Sequence, residues 1–124
     1  MKIHSFRDLD VWHKSMDLAE NTYLIVSRFP SDERFGLSAQ LRRSSVSIAS
    51  NIAEGAGYGM TKRYVHHLRI ARGSEQELQT QLELAWRLGF AERKLVAPLL
   101  ESASEVGRML NGLISSLVAQ GLTD

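Results

Sequence analysis

Residues 40–57 read QLRRSSVSIASNIAEGAG, and this stretch decides the fold. Leu41, Ile48 and Ile52, with Leu37 just upstream, lie one turn or a multiple of turns apart, so one apolar stripe runs down a helix. Between and just after them stand Ser44, Ser45, Ser47, Ala49, Ser50 and Ala53. Small side chains let a neighbouring backbone come close, which places this helix in the crowded middle of a bundle. Serine and asparagine are mediocre helix formers, so tertiary packing rather than intrinsic propensity must hold the segment.

Upstream, Leu9, Trp12, Met16, Ala19, Tyr23 and Val26 alternate spacings of three and four. They predict the apolar seam of a first helix ending before Phe29-Pro30. Ser31 or Asp32 then caps a second helix running from about residue 33 to Gly55 or Gly57. Downstream, Gly55, Gly57 and Gly59 form a turn and Thr61 caps a third helix. Its seam is Tyr64, Leu68, Ala71, Glu75, Leu78, Leu82 and Ala85, and Gly89 stops it. Gly73 within this run marks an expected close helix crossing. A fourth helix carries Leu95, Leu99, Val106, Leu110, Leu113 and Leu117, with Pro98 tolerable in its first turn or at a kink. No segment alternates with period two. The expected fold is all-α, an antiparallel up-down-up-down four-helix bundle forming a single domain over 1–124.

The 124 residues suffice for one core, and there is no cysteine, which excludes disulfides and thiolate chemistry. The N-terminus shows no secretory pattern and no window is apolar enough for a membrane span, so the expected location is cytoplasmic, with no membrane partner. Net charge is only +1, but its distribution is uneven. Residues 34–72 hold seven arginines and lysines against Glu54 alone, while both flanking segments are net acidic. Within the basic segment, Lys62, Arg63, His66, Arg69 and Arg72 recur at steps of three and four and largely share a face of the third helix. Arg42 and Arg43 on the antiparallel second helix extend this set, and Arg72 is expected roughly level with Arg42 or Arg43 if the turn lies near Gly57. Such a face grips phosphates without reading sequence; its bland counterpart is a solvated cationic surface paired with acids on the first and fourth helices.

Other chemistries lack their residues. No glutamate is followed by histidine three residues on, as a di-iron bundle requires, and His66 and His67 are adjacent and about 100° apart on a helix. No metal site and no cofactor are expected. The serines lack a nucleophile elbow, so no catalytic residue is assigned. The GAGYG run at 55–59 follows a helix and lacks a Gly-Lys-Ser/Thr ending, which reads as a turn and not as a phosphate loop. Arg43, Asn51, Glu54 and Glu77 are expected to form a structural polar network that sets helix register or subunit contacts.

Several motifs together resemble one family. They are Phe6-x-x-Leu9-x-Val11-Trp12, Phe29-Pro30-x-x-Glu33-x-Phe35-Gly36-Leu37, and Gln40-Leu41-Arg42-Arg43. Ser47-Ile48-x-x-Asn51-Ile52-x-Glu54-Gly55 and Ala71-Arg72-Gly73-Ser74-x-x-Glu77 complete the set. The chain resembles the bacterial four-helix bundle proteins encoded in intervening sequences of 23S ribosomal RNA genes, a superfamily that includes accessory proteins of diversity-generating retroelements. Glu75 departs from the smaller or apolar residue usual there. The resemblance implies a bundle assembling into a homopentamer, without known catalytic residues. It further implies nucleic-acid binding, RNA ahead of DNA, and for the retroelement proteins a reverse transcriptase partner. The reading is a non-enzymatic oligomer binding RNA or DNA through Arg42, Arg43, Lys62, Arg63, His66, Arg69 and Arg72; the alternative is a protein–protein adaptor without direct nucleic-acid contact.

Overall fold

Ser44, Ser45, Ala49 and Gly55 are all buried beside Leu37, Leu41, Ile48 and Ile52, so the small-residue helix is packed on both flanks. In the computed structural model, residues 5–33, 35–59 and 61–121 are described. Their helices are α1 (Asp10–Val26), α2 (Leu37–Gly57), α3 (Thr61–Arg87) and α4 (Arg93–Ala119). No strand occurs among the described residues. Each helix packs against its two neighbours around a square, with no packing across the diagonals among the described residues.

The direction of each helix follows from its cross-helix pairs. Ser44 meets Gln81, Ser47 meets Ser74 and Asn51 meets His67, so α2 and α3 are antiparallel. Arg72 meets Asn111 while Glu75 lies against Gly107, which makes α3 and α4 antiparallel. Lys14 pairs with Glu105, and Ile25 shares a cleft with Leu99, which does the same for α1 and α4. The bundle is therefore all-α and up-down-up-down.

The α1 seam differs from the one its apolar spacing predicts. Val11, Ser15, Leu18, Thr22, Ile25 and Val26 face the core, while Met16 and Tyr23 are 44% and 47% exposed. Burying Ser15 and Thr22 costs little because their hydroxyls donate to the carbonyls of Val11 and Leu18, each at 2.7 Å. The start of α2 also differs. Ser31–Glu33 forms a separate 3-10 turn, and the Glu33 carboxylate accepts from the Leu37 amide at 3.2 Å, so α2 begins at Leu37. Of the turn glycines only Gly59 adopts a positive φ; Gly55 and Gly57 are helical. Thr61 is the first residue of α3 and not its cap, and Gly89 ends the following turn at φ +78°.

Gly73 does not mark a crossing, since nothing lies within 4 Å of where its Cβ would stand. The close approaches are at Gly55 and Gly107. Pro98 sits in the second turn of α4, on its exposed side, and the helix continues through it. No described helix is long and apolar enough to cross a membrane.

Candidate nucleic-acid interface

A ladder of small polar side chains lines the outer groove between α2 and α3. Ser44 Oγ donates to Gln81 Oε1 at 2.7 Å, and the Ser47 and Ser74 hydroxyls are 2.8 Å apart. Asn51 Nδ2 donates to the Ser47 carbonyl at 2.9 Å and to Ser47 Oγ at 3.1 Å. With its amide so oriented, Asn51 presents Oδ1 to His67 Nδ1 at 3.0 Å. An acceptor there requires the proton on Nδ1, so this bond sets both the tautomer and the ring angle of His67. Glu54 Oε2 stands 3.9 Å from the same nitrogen.

The ladder ends in an aromatic stack at the α2–α3 turn. Tyr58, which follows the last helical residue of α2, lies over His67 with centroids 5.3 Å apart and planes within 21°. The Arg63 guanidinium is 5.1 Å from the Tyr58 centroid, and His66 meets His67 edge-on at 5.5 Å. The helices can approach this closely because position 55 is glycine. A Cβ there would stand 2.8 Å from His67 Cβ and 3.2 Å from the Tyr64 carbonyl oxygen. Burial raises the Tyr64 phenol above its ordinary pKa of 10.0.

The seven predicted cationic residues do not form one surface. Lys62, Arg63, His66 and Arg69 are brought together on the exposed first turns of α3. Arg43 is exposed farther along the groove, lining a cleft with Gln40, Ser47 and Glu77. Arg42 is half-buried on α2. Arg72 turns towards α4, donating through Nη1 to Glu75 Oε1 at 2.6 Å and through Nε to Asn111 at 3.1 Å. It is not level with Arg42 or Arg43, because the Ser47–Ser74 pairing puts it opposite the stretch near Ile48.

The expected network of Arg43, Asn51, Glu54 and Glu77 is also redistributed. Arg43, Glu54 and Glu77 are exposed, and only Asn51 is half-buried. The groove is joined instead by Ser47, Ser74, Asn51 and His67. Buried charge lies elsewhere, at Glu75, which is 1% exposed and accepts from both Arg72 and Gln79. Spacing alone hides His67 as the hub, since its partner Asn51 belongs to the other helix. No group of three His, Cys, Asp or Glu side chains among the described residues is placed to hold a metal ion.

Residues 7–112 match the family model of the 23S rRNA-intervening sequence protein. The chain belongs to that family. A solved structure of a protein of unknown function from the S23 ribosomal protein family of Bacteroides thetaiotaomicron VPI-5482 is similar, with a TM-score of 0.76 and 25% identity. The match covers 84% of this chain and 97% of that one, so this intervening-sequence family member shares its fold with that protein over most of its length. No curated protein matches the chain.

Proposed function

We propose that this family member is a non-enzymatic nucleic-acid-binding protein whose basic α2–α3 end grips phosphates, RNA ahead of DNA. The supporting observation is the charge at that end. From Thr61 to Ala71, α3 carries Lys62, Arg63 and Arg69 without one acid. Among the described residues, Arg63 and Arg69 make no ion pair, whereas Lys14, Arg87, Lys94 and Arg108 each pair with a glutamate. Exposed cations without acidic neighbours release counterions when they meet a polyanion, and that release drives salt-dependent binding. The association of the family with a ribosomal RNA locus in its name favours RNA. The site works in the cytoplasm and as a homo-oligomer, a homopentamer, in which repetition of the basic end multiplies the grip. Mass measurement of the purified chain tests the subunit number; binding of labelled RNA and DNA across a salt series tests the grip.

A second reading, the adaptor for a protein partner such as a polymerase of the retroelement type, has its own support at the opposite end. Leu24 is 63% exposed and Phe35 84% exposed, and Leu84 and Leu88 are exposed at the same end of the bundle. Apolar groups collected at one end suit protein contacts more than phosphate contacts. Substituting Leu24 and Leu88 by serine separates the readings: lost partner binding with retained RNA binding supports the adaptor.

A further inference from the structure

We infer that Tyr58 is a stacking platform for one unpaired nucleobase, so that the basic end takes single-stranded nucleic acid in preference to duplex. This rests on the phosphate-binding reading above and adds the form of the ligand.

The platform is built from beneath. Tyr58 is 41% exposed although its ring packs nearly parallel on His67. His67 in turn is held by Asn51, and Asn51 by Ser47. A tyrosine at a helix end ordinarily swings among rotamers; here an anchored imidazole supports it. Gly55 provides the clearance that this arrangement needs. Ordering cost is thus met before a ligand arrives.

The surroundings suit a nucleotide. The Arg63 guanidinium lies over the Tyr58 ring on an exposed side chain, so an incoming base takes its place and the displaced guanidinium covers the base's second face or reaches its phosphate. Lys62 and His66 flank it on α3. Glu54, the one acid on this end of α2, faces His67. Charge alone attracts both single strands and duplexes, and releases more counterions from the duplex. A base face, by contrast, is available to an aromatic ring only when the base is unstacked, and one such contact changes affinity about tenfold.

The test measures binding of the 124-residue chain to a short unstructured RNA, to the same strand annealed to its complement, and to a DNA strand of the same sequence. The wild-type protein should bind the single strands about tenfold more tightly than the duplex. Tyr58→Ala and Tyr58→Leu should abolish that preference on both RNA and DNA by weakening single-strand binding about tenfold more than duplex binding, and Tyr58→Phe should keep it. Arg69→Glu should weaken single strand and duplex together. Tyr58→Ala with unchanged helical content and an intact single-strand preference would overturn the platform while leaving the phosphate grip standing. A loss on RNA with none on DNA would also overturn it, because both strands offer the same base faces. Binding of neither strand nor duplex at low salt would remove both proposals.

Discussion

The Glu75 carboxylate on α3 occupies the space that a Cβ on Gly107 of α4 would fill. At this level the two helices meet through an acid and a glycine, set among the apolar core residues that both helices contribute. Glu75 is almost wholly buried, and its oxygens are satisfied by Arg72 and Gln79 from its own helix. Arg72 continues across to Asn111, so the cluster joins α3 to α4. Buried ions are tolerated only when paired and hydrogen-bonded in this way.

Gly107→Ala should destabilise the bundle by about 2 kcal/mol, since the new methyl group forces Glu75 out of its site. Urea unfolding followed by circular dichroism measures this directly. A midpoint equal to that of the unsubstituted protein would mean that Glu75 can move aside freely.

Arg72→Ala should cost about 3 kcal/mol by leaving a buried carboxylate short of its cation. Combining it with Glu75→Leu should return most of that loss, because a buried leucine needs neither a cation nor a hydrogen bond. A double-mutant cycle by urea unfolding reads the coupling. A double mutant no more stable than Arg72→Ala alone would show that the ion pair is not what Arg72 supplies. Arg72 is consequently a poor probe of nucleic-acid binding.

Two glycines on the α2–α3 pair should behave oppositely. At Gly55 the obstructing atoms are His67 Cβ and the Tyr64 backbone, which cannot yield without moving α3. Gly55→Ala should therefore cost about 2 kcal/mol. Gly73 is helical and its Cβ direction is open, so Gly73→Ala should add about 0.5–1 kcal/mol. Melting temperatures that move in the same direction for both would contradict the packing described.

Stability should fall at alkaline pH through Tyr64. The folded chain holds the phenolic proton more tightly than the unfolded chain, whose phenol ionises at the ordinary value of 10.0. The stabilisation is thus complete below that value and is lost as pH rises through the higher folded value. Comparing urea midpoints at about pH 9 and about pH 11 should show a smaller drop for Tyr64→Phe than for the unsubstituted protein. An equal drop would place the effect elsewhere.

Much of the fold was legible in apolar spacing, and the failures have identifiable causes. All four stripe residues of α2 are buried as their spacing requires, and the α3 seam, Glu75 included, faces inward. In α1 the apolar heptad misled because Ser15 and Thr22 hide their hydroxyls on carbonyls of the preceding turn. A polarity pattern cannot register such residues as core. The start of α2 was misplaced because Glu33 acts on its first turn from a separate 3-10 segment. The candidate interface was half legible. Lys62, Arg63, His66 and Arg69 share one exposed region, as helical spacing implies. Arg72 does not lie level with Arg42 and Arg43 because the register of α2 on α3 depends on Gly55 and the Ser47–Ser74 contact, a cross-helix relation, and its side chain turns to Glu75 and Asn111. The same register creates the Tyr58–His67 stack.

The α2–α3 end is the proposed phosphate-binding surface. The most direct test is the salt dependence of RNA binding by the unsubstituted protein and by an Arg63→Glu, Arg69→Glu variant of unchanged oligomeric state. Affinity should fall steeply with salt, and the variant should bind more weakly with its log–log slope reduced by about 2, roughly one for each phosphate contact removed. An absence of binding at low salt, or a variant with unchanged affinity and slope, would contradict the claim and leave these cations as solvated surface charge.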